Sequence, residues 1–190
     1  MADLNPASIP LSLYIHMPWC IRKCPYCDFN SHTKPNQLPE EQYIQALIND
    51  FKEDISQFGA RPIQSIFIGG GTPSLFSPKS YAFLFAELQK LVSFLPELEI
   101  TLEANPGTFE QQLFREYRQV GINRLSLGIQ SFNPKHLRLL GRIHDDNQAI
   151  QAIKSARTSG FDNINIDLMH GLPEQTLEEG LIDLSKALEF

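Results

Sequence analysis

Ser12-Leu13-Tyr14-Ile15-His16-Met17-Pro18-Trp19-Cys20-Ile21-Arg22-Lys23-Cys24-Pro25-Tyr26-Cys27 joins a strand-like run to a loop carrying three thiols. The strand candidate is Leu11–Met17, short, largely apolar and closed by Pro18. Ile63–Ile68, Leu98–Glu103, Arg124–Ile129 and Asn163–Leu168 have the same build, each bounded by Gly, Pro or Asn. Between them the apolar period changes to that of a helix. Residues 44, 47, 48, 51, 55 and 58 form one stripe, and 81, 84, 85, 88, 91, 92 and 95 form another. Ser77 before Pro78 predicts a capped helix start. Thr108 with Gln111, Asp145 with Gln148 and Thr176 with Glu179 have capping-box spacing, and Gly121 and Gly160 stand where left-handed C-caps are needed. Strand–helix repetition of this kind predicts an α/β fold with a parallel sheet and right-handed crossovers, either doubly wound or curling into a barrel.

Bulk composition narrows the partners. Sixteen basic against 22 acidic side chains give a net charge of −6, without the basic stripe of a nucleic-acid binder. The N-terminus lacks the basic and apolar regions of a secretory signal, and no apolar run approaches the roughly 18 residues of a membrane span. The three cysteines lie within eight residues, a poor disulfide framework. Together these predict a soluble, cytoplasmic protein. The final helix has no closing strand after it, which predicts a fragment of a longer chain: an N-terminal extension over 1–10, then a core domain over 11–190 that is incomplete at its C-terminus.

The polar clusters all follow strands. Cys20–Cys27 follows the first, Gly69-Gly70-Gly71-Thr72-Pro73 the second and Ala104-Asn105-Pro106-Gly107 the third; Gln130-Ser131 follows the fourth and His170-Gly171-Leu172-Pro173 the fifth. Glu103 and Asp167 end their strands. Carboxyl ends of strands are where parallel α/β sheets build their sites.

The cysteine spacing is C-x3-C-x2-C. Three thiolates can hold three irons of a 4Fe–4S cluster and leave the fourth open, as coordination by the amino and carboxylate groups of S-adenosylmethionine requires. Arg22 and Lys23 would offset part of the negative charge. The competing reading is a Cys3His zinc site completed by His16 or His32. The glycine run lacks the lysine of a phosphate loop and lets backbone approach a ligand closely; by itself it could equally be a tight turn. Glu103 and Asp167 suit ribose hydroxyls, and Arg142 suits a carboxylate, unless these are ordinary loop or surface charges. Tyr26 either stacks on adenine or packs the loop. His16, His32, His136 and His144 read as supporting or surface residues.

Ser12 through Asn30, GGGTPS, and Asn165-Ile166-Asp167-Leu168-Met169-His170-Gly171-Leu172-Pro173 together resemble the oxygen-independent coproporphyrinogen III oxidase family of radical S-adenosylmethionine proteins, and most closely its haem-chaperone branch. The resemblance implies a partial (β/α) barrel truncated after about five βα units. It also implies that Cys20, Cys24 and Cys27 are the cluster ligands. Tyr14, Tyr26, Gly70, Gly71, Thr72, Glu103, Gln130, Arg142 and Asp167 match its S-adenosylmethionine site. The implied reaction is one-electron reduction of the sulfonium to methionine and a 5′-deoxyadenosyl radical. The decarboxylating oxidases resemble C-x3-C-x2-C-x-C, whereas Phe29 stands at the fourth cysteine position here, and they carry a longer N-terminal arm. Both differences favour a haem-binding chaperone that passes haem to acceptor proteins, over an oxidase converting coproporphyrinogen III to protoporphyrinogen IX. The implied partners are haem or porphyrin, a flavodoxin- or ferredoxin-type electron donor, and a haem-acceptor protein.

Overall fold

All five strand candidates form, and they lie side by side in chain order. In the computed structural model, which describes residues 8–58 and 61–190, the elements are β1 (Leu11–Met17), β2 (Trp19–Cys20), β3 (His32–Thr33), α1 (Glu40–Phe58), β4 (Ile63–Gly70), α2 (Pro78–Gln89), β5 (Phe94–Ala104), α3 (Thr108–Gln119), β6 (Arg124–Gln130), α4 (Pro134–Leu139), α5 (Asp146–Thr158), β7 (Asn163–Leu168) and α6 (Leu177–Ala187). Much of the N-terminal extension expected over 1–10, residues 1–7, lies outside the described residues. Among the described residues no helix is long and apolar enough to cross a membrane.

The main sheet is wholly parallel with the order β1-β4-β5-β6-β7. A doubly wound sheet would reverse its order at a switch point. Continuous order instead is the arc of a (β/α) barrel, which decides between the two architectures left open by strand–helix alternation.

The core explains the arc. Ile15 and Met17, Ile66 and Ile68, Ile100 and Leu102, and Leu125, Leu127 and Ile129 are buried at alternate strand positions. Onto them pack Ile44, Ile48 and Phe51 of α1, Tyr81, Leu84, Phe85 and Leu88 of α2, Phe114 and Tyr117 of α3, and Ala149, Ile153 and Ala156 of α5. The intervening strand positions carry Tyr14, His16, Phe67, Thr101, Glu103, Ser126, Asn165 and Asp167, and the register brings Glu103, Ser126 and Asn165 into one row. Side chains alternate across a strand, so one face is apolar and covered, and the other is polar.

Several expectations need correction. β5 starts four residues before Leu98, because Pro96 lies where the ladder to β4 breaks between Ile63 and Ser65; a proline cannot donate and masks the strand signal. Gly69 and Gly70 belong to β4, paired with His16 and Met17, and are not a loop. α3 has Gly107 at its N-cap with no side-chain cap, and Gln111 donates to the Pro106 carbonyl at 3.2 Å. The boxes at Asp145–Gln148 and Thr176–Glu179 form in full. Gly121 and Gly160 take φ of +105° and +92°. The six-residue α4 and the two-residue pair β2–β3 are too short to show a period.

Candidate functional site

The first strand delivers its cysteines through a short clasp. Trp19 and Cys20 pair in parallel with His32 and Thr33; His32 N–H donates to the Pro18 carbonyl at 2.7 Å, and Lys34 N–H to the Cys20 carbonyl at 2.8 Å. Between the clasp's two strands, Cys27 N–H closes a turn on the Cys24 carbonyl at 3.0 Å. The glycines lock the clasp to the sheet: Gly71 N–H donates to the Met17 carbonyl and Thr72 N–H to the Trp19 carbonyl, both at 2.7 Å.

The absence of a side chain at Gly71 therefore serves the protein's own packing. A Cβ there would stand 2.6 Å from the Trp19 carbonyl oxygen, one residue before the first cysteine. Gly70, at φ +116°, has no room either, since its Cβ would meet the His16 ring at 2.7 Å. Ligand approach, the reading from composition, is not what occupies these Cβ positions. Past Thr72 the chain makes a 3-10 turn, Pro73–Leu75, pinned by two buried phenols. Tyr81 donates to the Pro73 carbonyl at 2.7 Å, and Tyr117 to those of Ser74 and Phe76 at 2.8 and 2.9 Å.

These segments enclose a cavity of about 410 Å³ at the carboxyl end of the sheet. Cys20, Cys24 and Cys27 line it, with Tyr26, Gly70, Gly71, Thr72, Glu103, Gln130, Arg142 and Asp167. Tyr14 is the expected residue that does not. It is 56% exposed, stacks on Phe67 at 6.3 Å and meets His16 Nδ1 at 2.9 Å. His16 Nε2 lies 2.8 Å from the Asn30 carbonyl, which can only accept, so Nε2 donates there, while Nδ1 and the Tyr14 hydroxyl share the other bond.

Arg142 is the hub. Gly141 (φ +66°) turns the chain after α4, and Arg142 N–H donates to the Leu137 carbonyl at 2.9 Å. Its guanidinium donates to Gly128 O at 2.6 Å, Asn105 Oδ1 at 2.7 Å, Tyr26 Oη at 3.4 Å and Cys24 Sγ at 3.6 Å. Nε is buried without a partner. The charge thus sits against a thiol, with one donor still to be satisfied. Arg22 also lines the cavity and donates to the Gly141 carbonyl; Lys23 turns away to the carbonyls of Phe29 and Ser31.

Glu103 accepts from Gly70 N–H at 3.1 Å. Burial pushes its carboxyl above the ordinary 4.5, the Gly70 bond pulls it back, and the Asp167 charge raises it again. Asp167 accepts from Asn165 Nδ2 at 2.6 Å and sits 3.3 Å from Ser126 Oγ. Asn105, Ser126 and Asn165 were not among the expected site residues. Asn105 stood in a strand-end polar cluster, and Ser126 and Asn165 share their strand face with the sites, so period-two alternation was the available signal.

The two metal readings make different demands on these donors. Among the described residues no three of His, Cys, Asp or Glu converge on one point, as tetrahedral zinc requires, whereas a cluster takes each thiolate on a different iron. His16, one candidate for the fourth zinc ligand, has both ring nitrogens engaged.

Known proteins place this geometry. Over 189 residues the chain is 54% identical to the "Heme chaperone HemW" of Haemophilus influenzae, covering 97% of this chain and 49% of that protein. It is 49% identical over 181 residues to the Escherichia coli protein of the same name, covering 95% of this chain and 48% of the other. The chain therefore spans about half the length of these relatives. Among solved structures, coproporphyrinogen III oxidase (HemN) from Escherichia coli, described as a Radical SAM enzyme, matches with a TM-score of 0.84 at 33% identity, over 96% of this chain and 42% of that one. The family model for the Radical SAM superfamily matches residues 14–184, and the chain belongs to that superfamily.

Proposed function

We propose that the protein is a haem-handling radical S-adenosylmethionine protein of the haem-chaperone type, with a 4Fe–4S cluster held by Cys20, Cys24 and Cys27. The observation that carries the reading is convergence: three thiols, the Gly70–Thr72 segment, two acidic groups, an amide and an arginine from five parallel strands and their loops line one cavity. When bound, the cluster and cofactor together supply one-electron cleavage of a sulfonium, giving methionine and a 5′-deoxyadenosyl radical.

The chain's own residues bind and orient. Glu103 and Asp167 are acceptors suited to ribose hydroxyls, and Gln130 offers both a donor and an acceptor. The Arg142 guanidinium, a cavity-lining cation against Cys24, would partly neutralise a thiolate there and attract a carboxylate. Tyr26 and Thr72 line the wall beside it. Tyr14 acts from outside the cavity, bracing the exit of the cysteine loop through His16 and the Asn30 carbonyl.

The two relatives named as haem chaperones support haem as cargo. Phe29, 62% exposed at the cavity wall, is an apolar residue where the oxidases are expected to place a fourth cysteine. A flavodoxin- or ferredoxin-type donor and a haem-acceptor protein complete the partners this function requires, in a cytoplasmic setting.

Anaerobic reconstitution tests the reading, with an expected uptake of about four irons and four sulfides per chain. Haem titration should then give stoichiometric binding, with no turnover of coproporphyrinogen III. Stoichiometric zinc without iron uptake would overturn the cluster; decarboxylation of coproporphyrinogen without haem retention would replace the chaperone with the oxidase.

A further inference from the structure

Gln130 ends β6 in a backbone conformation that L residues avoid. Its φ is +70°, and Ser131 N–H closes a three-residue turn on the Ile129 carbonyl at 2.9 Å. A turn of this kind is strained and persists only where its surroundings enforce it. Met169 N–H, at 2.9 Å from the Gln130 carbonyl, is one constraint. The other comes from Asp183, 52 residues beyond Ser131. Asp183 of α6 accepts from Ser131 Oγ at 2.6 Å through one carboxylate oxygen and from Phe132 N–H at 2.8 Å through the other. The same Ser131 hydroxyl oxygen accepts from Asn133 N–H at 2.9 Å, tying the turn to the start of α4.

The orientation of α6 is unusual. Its leucines at 177, 181 and 184 are exposed, and Asp183, 3% exposed, is its one buried residue. A helix normally docks by its apolar stripe. Burying a carboxylate instead costs free energy that only well-made hydrogen bonds offset, and both oxygens of Asp183 are spent on the two residues after Gln130.

We infer that Asp183 is a positioning residue for S-adenosylmethionine binding: it fixes the strained turn that aims Gln130 into the cavity. The inference rests on the function proposed above and names a residue beyond the cavity wall. It acts only through Gln130, so its effect must disappear when Gln130 is removed.

The test is a cofactor titration of the anaerobically reconstituted protein, followed by electron paramagnetic resonance of the reduced cluster. Asp183→Ala should weaken cofactor binding about tenfold, and in a Gln130→Ala background the same change should alter it by less than about twofold. Ser131→Ala, which removes one of the two bonds, should weaken binding about threefold, and it supplies the measurement if Asp183→Ala does not fold. Wild-type affinity in Ser131→Ala, or an undiminished loss from Asp183→Ala in the Gln130→Ala background, overturns the inference alone. A wild-type cluster that gives no spectral response to the cofactor overturns the proposed function, and this inference with it.

Discussion

The two faces of the sheet are built from the same strands to opposite ends. On the convex face, Leu102, Leu125, Leu127 and Ile129 are wholly buried under helices and hold the fold by apolar area. On the concave face, Ser126, Asn165 and Asp167 hold one another by hydrogen bonds, Glu103 accepts from Gly70 N–H, and a cavity lies above them. The interior of a closed barrel is usually filled with branched apolar side chains. Here stability resides on one side and binding chemistry on the other, so substitutions on the two faces should fail differently.

The sharpest break is expected at the point where the faces meet. Gly71→Val would drive a branched side chain into the Trp19 backbone, which cannot yield as a flexible side chain can. It should abolish cluster assembly, scored as iron per chain after reconstitution, while circular dichroism retains the helical signal. An intact cluster in this variant would show that the clasp and the glycines are independent.

Leu127→Ala probes the convex face alone. Removing a fully buried leucine should cost about 3–5 kcal/mol, read as the shift in a urea midpoint. A loss below about 1 kcal/mol would mean that the apolar face is not what holds the arc.

Acid should separate the two faces next. His144 is buried, and that burial, with the Arg142 charge nearby, lowers its pKa from 6.5 to about 4, although its bond to the Ile129 carbonyl opposes the shift. An unfolded His144 takes its proton near 6.5 while the folded one does not, so stability falls as pH drops from about 6.5 to 4. The slope from this group approaches about 1.4 kcal/mol per pH unit, and His144→Gln should flatten it in denaturant titrations across that window.

The smallest effect on stability belongs to the concave face. Because burial raises the Glu103 pKa, its charged form costs folding free energy once pH rises through the range of an ordinary carboxyl. Glu103→Gln should leave neutral-pH stability unchanged or slightly higher, yet weaken S-adenosylmethionine binding by about tenfold. A variant that is destabilised with unchanged cofactor affinity would erase the distinction between the faces.

The strands, the cysteine loop and most of the cavity were legible because each rests on local information. Alternation identified β1, β4, β6 and β7, and the C-x3-C-x2-C spacing identified the thiols. Asp145 and Thr176 cap their helices through bonds within four residues. What was missed depends on distance or on brevity. The start of β5 is hidden by Pro96, and β2 and β3 are two residues each. Tyr14 matched a cavity position in the family pattern, yet its hydroxyl is turned to His16.

By itself the sequence determined that this chain alternates strands and helices, that polar residues gather where strands end, and that three thiols share one loop. Periodicity, capping and motif spacing are properties of neighbouring residues, so no fold is needed to see them. Only the tertiary structure decided that the sheet runs in chain order as a barrel arc, and that Gly71 is excluded from a side chain by Trp19. It alone placed Arg142 against Cys24, 118 residues away, and set Asp183 beneath the turn that carries Gln130. Those are contacts between residues distant along the chain. Their geometry is fixed by how the apolar face packs, which no local pattern encodes.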